Sequence, residues 1–242
     1  MNSLRFSTPI RAAIFVPRAT PLLPTQRRFI TPPTQTLNAS RTLPYPSQAI
    51  YSIIADVERY STFLPYCKSS KVTKWSRPDP NGKKWPSEAE LVVGWKGLEE
   101  TFRSQIYCVP GSIVEAVGGR AVTTLRKDLI QHHRDDFQSS SAVENGILTQ
   151  LLTRWTVRDF PYKPPPDESA GHPPKEHTQV SLTIEYQFSN PMYSAMSGAV
   201  ADKVAGFMIE AFEGRVKAVL DGGTDAHRKS GVEGVMNSTM KI

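Results

Sequence analysis

Between Val180 and Phe188 the chain reads Val-Ser-Leu-Thr-Ile-Glu-Tyr-Gln-Phe, with an apolar side chain at every second position and a polar one between. A period of two held over nine residues describes a strand with one face buried and the other wet. Such a strand cannot stand alone, because its backbone N–H and C=O groups must pair sideways. Neighbours are legible upstream. Trp155 and Val157 alternate with Arg154 and Thr156. Leu91, Val93 and Trp95 alternate along one segment, and Phe102, Ser104, Ile106 and Cys108 along the next. Val72 to Trp75 ends before the turn Pro78-Asp-Pro-Asn-Gly82, and Pro110-Gly111 turns the chain into Ile113 to Val117. These are antiparallel strands joined by hairpins.

Helical periodicity brackets them. After Pro46-Ser47, Ile50, Ile53, Ile54 and Val57 recur at i, i+3, i+4 and i+7. A short second helix over Glu58–Tyr66 is stopped by Pro65. A long helix closes the fold, from Met192 or Ala199 to Leu220. Its apolar arc holds Val200, Val204, Phe207, Met208, Ala211, Phe212, Ala218 and Val219, and Arg215 projects into that arc. One curved antiparallel sheet wrapped around one long amphipathic C-terminal helix is an α+β layer architecture. Where sheet curvature and helix diameter fail to match, a gap is left for an apolar ligand.

Charge excludes one function class and suggests a destination. The net charge is +6, but six arginines and no lysine or acid precede Asp56. The rest carries 23 basic against 23 acidic residues, so the body lacks the positive field expected of a nucleic-acid binder. The arginine- and hydroxyl-rich, acid-free start has the composition of a mitochondrial transit peptide. Arg27-Arg28-Phe29 before Ile30 fits a matrix-protease site, so a cut is expected between about residues 28 and 42. The expected division is a leader and linker over 1–36, a folded body over 37–221 and a loose tail over 222–242. No apolar run approaches the roughly 18 residues that span a bilayer.

Catalytic and metal constellations are not expected. The five histidines (132, 133, 172, 177 and 227) fall in segments read as loops or insertions. His132-His133 beside Asp135-Asp136 reads as a solvated charge cluster. Cys67 and Cys108 read as free thiols. The run Pro161–Pro174, with six prolines, is a connecting loop.

Ala55-Asp-Val-Glu-Arg-Tyr-Ser-Thr-Phe-Leu-Pro-Tyr-Cys67 resembles the signature of the mitochondrial coenzyme Q-binding family of the START / polyketide-cyclase superfamily. So do Ala211-Phe-Glu-Gly-Arg-Val-Lys-Ala-Val-Leu220 and the segment Val93–Ser104. The chain departs from that pattern by insertions near 120–146 and 161–174. The resemblance implies a helix-grip (START-like) fold whose cavity takes coenzyme Q (ubiquinone) or a polyprenyl-quinone intermediate as a bound ligand, with no catalytic cofactor. Candidate pocket residues are Tyr60, Phe63, Leu64, Leu91, Val93, Trp95, Phe102, Ile106, Trp155, Leu182, Ile184, Tyr186, Val204, Phe207, Met208, Ala211 and Arg215. Tyr60, Phe63, Leu64, Pro65 and Tyr66 serve either as a plug on the sheet or as a lip of the pocket. Arg215 either pairs with Asp56 or Glu58 or faces a ligand oxygen.

The expected function is a non-catalytic carrier needed for respiration and quinone biosynthesis. It would sit peripherally on the matrix face of the mitochondrial inner membrane. Two other readings stand beside it: an aromatase or cyclase on the same fold, and a protein–protein module of the quinone-biosynthesis complex.

Overall fold

The computed structural model describes residues 32–95, 98–136, 146–161, 176–192 and 203–222, without the side chains at 95, 98 and 134–136. Seven strands make one sheet: β1 (Gln35–Leu43), β2 (Cys67–Trp75), β3 (Pro86–Trp95), β4 (Leu98–Val109), β5 (Ile113–Gly119), β6 (Leu148–Phe160) and β7 (His177–Phe188). Their order is β1-β7-β6-β5-β4-β3-β2, and every neighbouring pair is antiparallel. The alternating segment read from the sequence is the core of β7, which opens three residues earlier at His177, a residue the sequence had assigned to a loop. β7 is flanked by β6 and by the first strand, with Gln35 opposite Tyr186 and Leu43 opposite Thr178.

Alternation sorts the strand side chains into two cores. Ile106 and Cys108, Val114, Trp155 and Val157, and Val180, Leu182, Ile184 and Tyr186 face inward. They are covered by α1 (Ser47–Ala55), a short 3-10 helix (Val57–Thr62) and α2, which is helical over 203–222. From α1 come Ile50, Tyr51 and Ile54; the 3-10 helix adds Val57 and Tyr60. This is the α+β helix-grip arrangement that the sequence implied.

The roll of α2 differs from the sequence expectation. Its buried stripe is Ala205, Ile209, Phe212 and Val216, spaced i, i+4, i+7 and i+11, while Phe207 is 46% exposed and Val219 36%. An apolar arc counts side chains without knowing what holds the opposite face. Here Arg41 of β1 pairs with Glu213 at 3.4 Å and Glu210 at 3.7 Å, and Tyr45 donates its hydroxyl to Asp221 Oδ2 at 2.9 Å. These tethers turn Glu210 and Glu213 toward β1 and press the stripe beginning at Ala205 onto the sheet. Phe212 meets Trp155 of β6 with ring centroids 5.0 Å apart.

The outer face of the sheet is also covered, which the sequence reading did not anticipate. Tyr107, Val117 and Leu152 point outward and bury against Ile130 of the segment following β5, with Ala121 and Leu125 packed beside them. Polar contacts fasten that segment. Arg154 donates through Nε to the fully buried Glu115 at 2.6 Å and through Nη2 to Thr124 Oγ1 at 2.6 Å. His133, expected in a solvated cluster, is fully buried. The β3–β4 ladder ends at Glu88–Gln105, leaving the Cys108 N–H without a strand partner; it donates instead to His133 Nε2 at 3.0 Å. An accepting Nε2 places the proton on Nδ1, which donates to Ser87 Oγ at 2.7 Å. The imidazole thus extends the ladder by one bond. The Asp135 and Asp136 side chains, the rest of the proline-rich run after Pro161 and the tail beyond 222 lie outside the described residues.

Two outcomes are expected. A chain beginning at Pro32 is expected to keep the sheet, because it retains every described contact, beginning with Gln187 Nε2 donating to the Pro32 carbonyl at 2.6 Å. A chain beginning at Pro44 loses the buried Leu37 and Leu43, at about 2–5 kcal/mol each, and uncovers the edge of β7. Thermal unfolding followed by circular dichroism should show no cooperative transition, or one far lower. This narrows processing that preserves the sheet to positions before Pro32.

Burial, with a smaller contribution from His132, pushes the His133 imidazole down to about 3, against 6.5 in an unfolded chain. The unfolded state therefore takes up this proton first as acid is added. The His133 contribution is whole above pH 6.5 and is lost as pH falls from 6.5 toward 3. His133→Gln should flatten the dependence of the denaturant midpoint on pH across that window. An unchanged slope would show that other groups carry it.

Candidate functional site

The inward face of the sheet is unevenly covered. Its half around Ile106, Val114, Trp155, Val157 and Leu182 is buried beneath α1 and α2. Toward the ends of β3 and β5 and the starts of β4 and β6, Leu91, Val93, Phe102, Ala116 and Leu151 are only half-buried. On α2, Val204, Met208, Ala211 and Arg215 are half-buried on the flank of the stripe turned away from Glu210, Glu213 and β1. Among the described residues, sheet and helix therefore close on one side and are less covered on the other, as a helix held by one flank would be.

The sheet itself parts at this open half. The β4–β5 ladder stops at Gln105–Val117, after which Gly118 and Gly119 pair only with Leu151 and Gln150 of β6. Gly119 sits at φ +64°, and a Cβ there would lie 2.3 Å from the Thr149 carbonyl oxygen, so only glycine makes this bend. A narrow, solvent-open cleft occupies the parting, walled by the apolar Phe102, Leu148 and Leu151 and by the polar Glu100, Thr101, Arg103, Ser104 and Gln150 around Gly118. Across the gap the Ile147 N–H donates to Glu100 Oε1 at 3.1 Å.

The residues singled out from the sequence divide into three groups. Tyr60, Leu64, Ile106, Trp155, Leu182, Ile184 and Tyr186 lie in the packed core, each no more than 8% exposed. Phe63, Leu91, Val93, Phe102, Val204, Met208, Ala211 and Arg215 are half-buried around the opening. Phe207 faces outward, and the Trp95 side chain lies outside the described residues.

The aromatic cluster resolves into a plug and a lip. Tyr60 donates its hydroxyl to the Ile54 carbonyl at 2.6 Å, and Phe63 bridges Tyr60 and Phe212 at 5.6 and 6.4 Å. Tyr66, at φ +65° and 44% exposed, stands at the end of β3, its carbonyl accepting from the Gly94 N–H at 2.9 Å.

Neither thiol is poised for chemistry. Burial pushes Cys108 up to about 12 and raises Cys67 as well, so both stay protonated. Among the described residues no three His, Cys, Asp or Glu side chains converge on a metal position. Arg215 forms no ion pair with Asp56, Glu58 or any other carboxylate among the described residues, which removes the strut suggested from the sequence.

A family described as polyketide cyclase / dehydrase and lipid transport matches residues 43–213, from the last residue of β1 to Glu213 of α2. The chain belongs to this family. The mitochondrial coenzyme Q-binding protein of Schizosaccharomyces pombe is 30% identical over 179 residues, 74% of this chain and 85% of that one. The ribosome association toxin RatA of Pseudomonas aeruginosa is 24% identical over 181 residues, covering 75% and 94%. The Zhui aromatase/cyclase of Streptomyces sp. R1128 shares the fold, with TM-score 0.51 and 16% identity over 78% of this chain and 98% of that one.

In this member of the polyketide cyclase and lipid-transport family, three features of the site escaped the sequence reading. Ser104 was counted among the inward positions of β4 but not as a polar group in the cleft. Gly118 gave no signal, since its role depends on a ladder that ends one residue earlier. The stripe beginning at Ala205 was readable from its spacing, but it competed with the larger side chains of Phe207 and Met208.

Arg215→Leu should melt within about 0.5 kcal/mol of wild type, because no buried carboxylate is left unpaired. A loss of several kcal/mol in chemical denaturation would reveal an ion-pair strut after all.

Proposed function

We propose that this chain is a non-catalytic carrier for coenzyme Q or a polyprenyl-quinone intermediate, held between the open half of the sheet and the Met208 flank of α2. The observation that carries this reading is the half-covered apolar surface. Leu91, Val93, Phe102, Leu151 and Met208 stay partly exposed although the same sheet and helix are tightly packed a few residues away. Apolar surface left uncovered in the middle of a fold favours an apolar guest, at about 25 cal/mol per Å² removed from water.

The cleft is a narrow groove open to solvent rather than an enclosed chamber. It would hold a ring at most in part, so a long tail would remain in a bilayer. Peripheral docking on the inner mitochondrial membrane follows from that division. The printed name of the fission-yeast relative, the arginine-rich start of the chain and the expected leader support a mitochondrial site of action. Service to respiration and to the quinone-biosynthesis complex is the physiological part of the proposal.

The RatA likeness raises a ribosome-directed reading, but the balanced charge of the body gives no phosphate-binding field. A cyclase would use acid–base groups facing the cleft; the carboxylate there, Glu100, has Oε1 engaged by the Ile147 N–H, and the His133–Ser87 pair is buried at the other end of β3 with its lone pair and proton already engaged.

Protein purified without its leader should yield a polyprenyl quinone on organic extraction, detected by mass spectrometry. Met208→Glu, which puts a carboxylate on the half-buried flank of α2, should remain folded and yield at least ten-fold less. Extracts free of quinone, or equal from both proteins, would count against a carrier using this surface.

A further inference from the structure

We infer that Ser104 is the polar anchor of the cleft, the inward-facing hydroxyl that holds the oxygen-bearing ring of an otherwise apolar ligand. This rests on the carrier reading above. Ser104 lies on the inward face of β4 between Phe102 and Ile106, is 8% exposed and forms part of the cleft wall. Its Oγ makes no hydrogen bond among the described residues. Other buried hydroxyls of the fold are engaged: Ser76 Oγ accepts from the Trp85 N–H, Ser87 Oγ accepts from His133, and Thr178 Oγ1 donates to the Tyr45 carbonyl. The hydroxyl opens onto the cleft with its donor and acceptor capacity uncommitted among the described residues, so a ligand atom that enters there can take it up.

Gly118 keeps the hydroxyl accessible. A Cβ at that position would stand 3.3 Å from Ser104 Oγ and 3.1 Å from the Arg103 carbonyl oxygen, filling the space into which a ligand atom would enter. Glu100, the nearest acidic wall residue on β4, already has Oε1 engaged by the Ile147 N–H.

The chemistry of the group limits the ligand class. A serine hydroxyl both donates and accepts. It can donate to a ring carbonyl and accept from a ring hydroxyl, so the two redox forms of a quinone are held by one atom. A lysine could only donate and a carboxylate only accept. The anchor therefore fixes the ring while leaving its redox state open.

The test compares three probes on wild type, Ser104→Ala and Gly118→Ala by equilibrium dialysis: ubiquinone with one isoprene unit, its quinol, and farnesene as a hydrocarbon without oxygen. Ser104→Ala should melt at or above the wild-type temperature, since no native hydrogen bond is removed. It should bind quinone and quinol roughly three- to ten-fold more weakly, the range of one net hydrogen bond, with farnesene unchanged. Gly118→Ala should weaken quinone and quinol in the same direction by closing access to the hydroxyl. Wild-type affinity for quinone and quinol in Ser104→Ala, or an equal loss for farnesene, would overturn the anchor while leaving the carrier intact. Wild-type protein that binds farnesene but neither quinone nor quinol would overturn the carrier reading and the anchor with it.

Discussion

The contact between Phe212 of α2 and Trp155 of β6 is the one on which the remaining geometry depends. It sets the helix against the middle of a sheet whose inward residues are otherwise too far apart to bury one another. Around it the core closes: Ile209 and Val216 fall to either side, Phe63 reaches in from beyond the 3-10 helix, and Tyr60 is held in place behind it by the Ile54 carbonyl. Dispersion and apolar burial supply the attraction but have no direction. Direction comes from the polar tethers of Arg41 and Tyr45, which let the helix roll only one way. Half-buried apolar side chains on the untethered flank are the geometric remainder of that one-sided fastening.

The two faces of the sheet do different work. Inward, the surface is apolar and partly unfilled. Outward, it is closed by a segment of its own, fastened by a buried carboxylate–guanidinium pair and by an imidazole that serves as a strand's last acceptor. A sheet stiffened from behind can leave part of its front uncovered without collapsing into the space. The parting between β4 and β5 lies where that outer cover gives out, past Val117, the last residue of β5 in the outer core.

Much of this was legible in the residues, and the failures have physical causes. Strand alternation revealed six of the seven strands and their antiparallel nature, because a period of two says which side chains share a face whatever they touch; β1, whose polar edge positions carry little pattern, was not read. The helix periods were as clear. The roll of α2 was not, because it is decided by Glu210 and Glu213, polar residues that a hydrophobic arc treats as blank. His133 was misplaced for a related reason. Charged neighbours in sequence suggested water, while its partners, Ser87 and the Cys108 N–H, come from strands far away in the chain. Of the pocket candidates, the alternation rule found the inward positions but could not separate those under the helix from those beside it. That separation belongs to the sheet–helix offset, which no local pattern encodes.

The strand order carries a further consequence. β1 is made first of the described strands, yet among them it pairs with β7 alone, so Gln35 waits for Tyr186 while six other strands are synthesised. In the interval β1 is an unpaired amphipathic ribbon bearing Leu37 and Leu43. Such ladders of high sequence separation form slowly and leave sticky edges in the meantime. The earliest of the described strands to be made is therefore the latest to be sheltered, and closure of the sheet is bound to the end of synthesis.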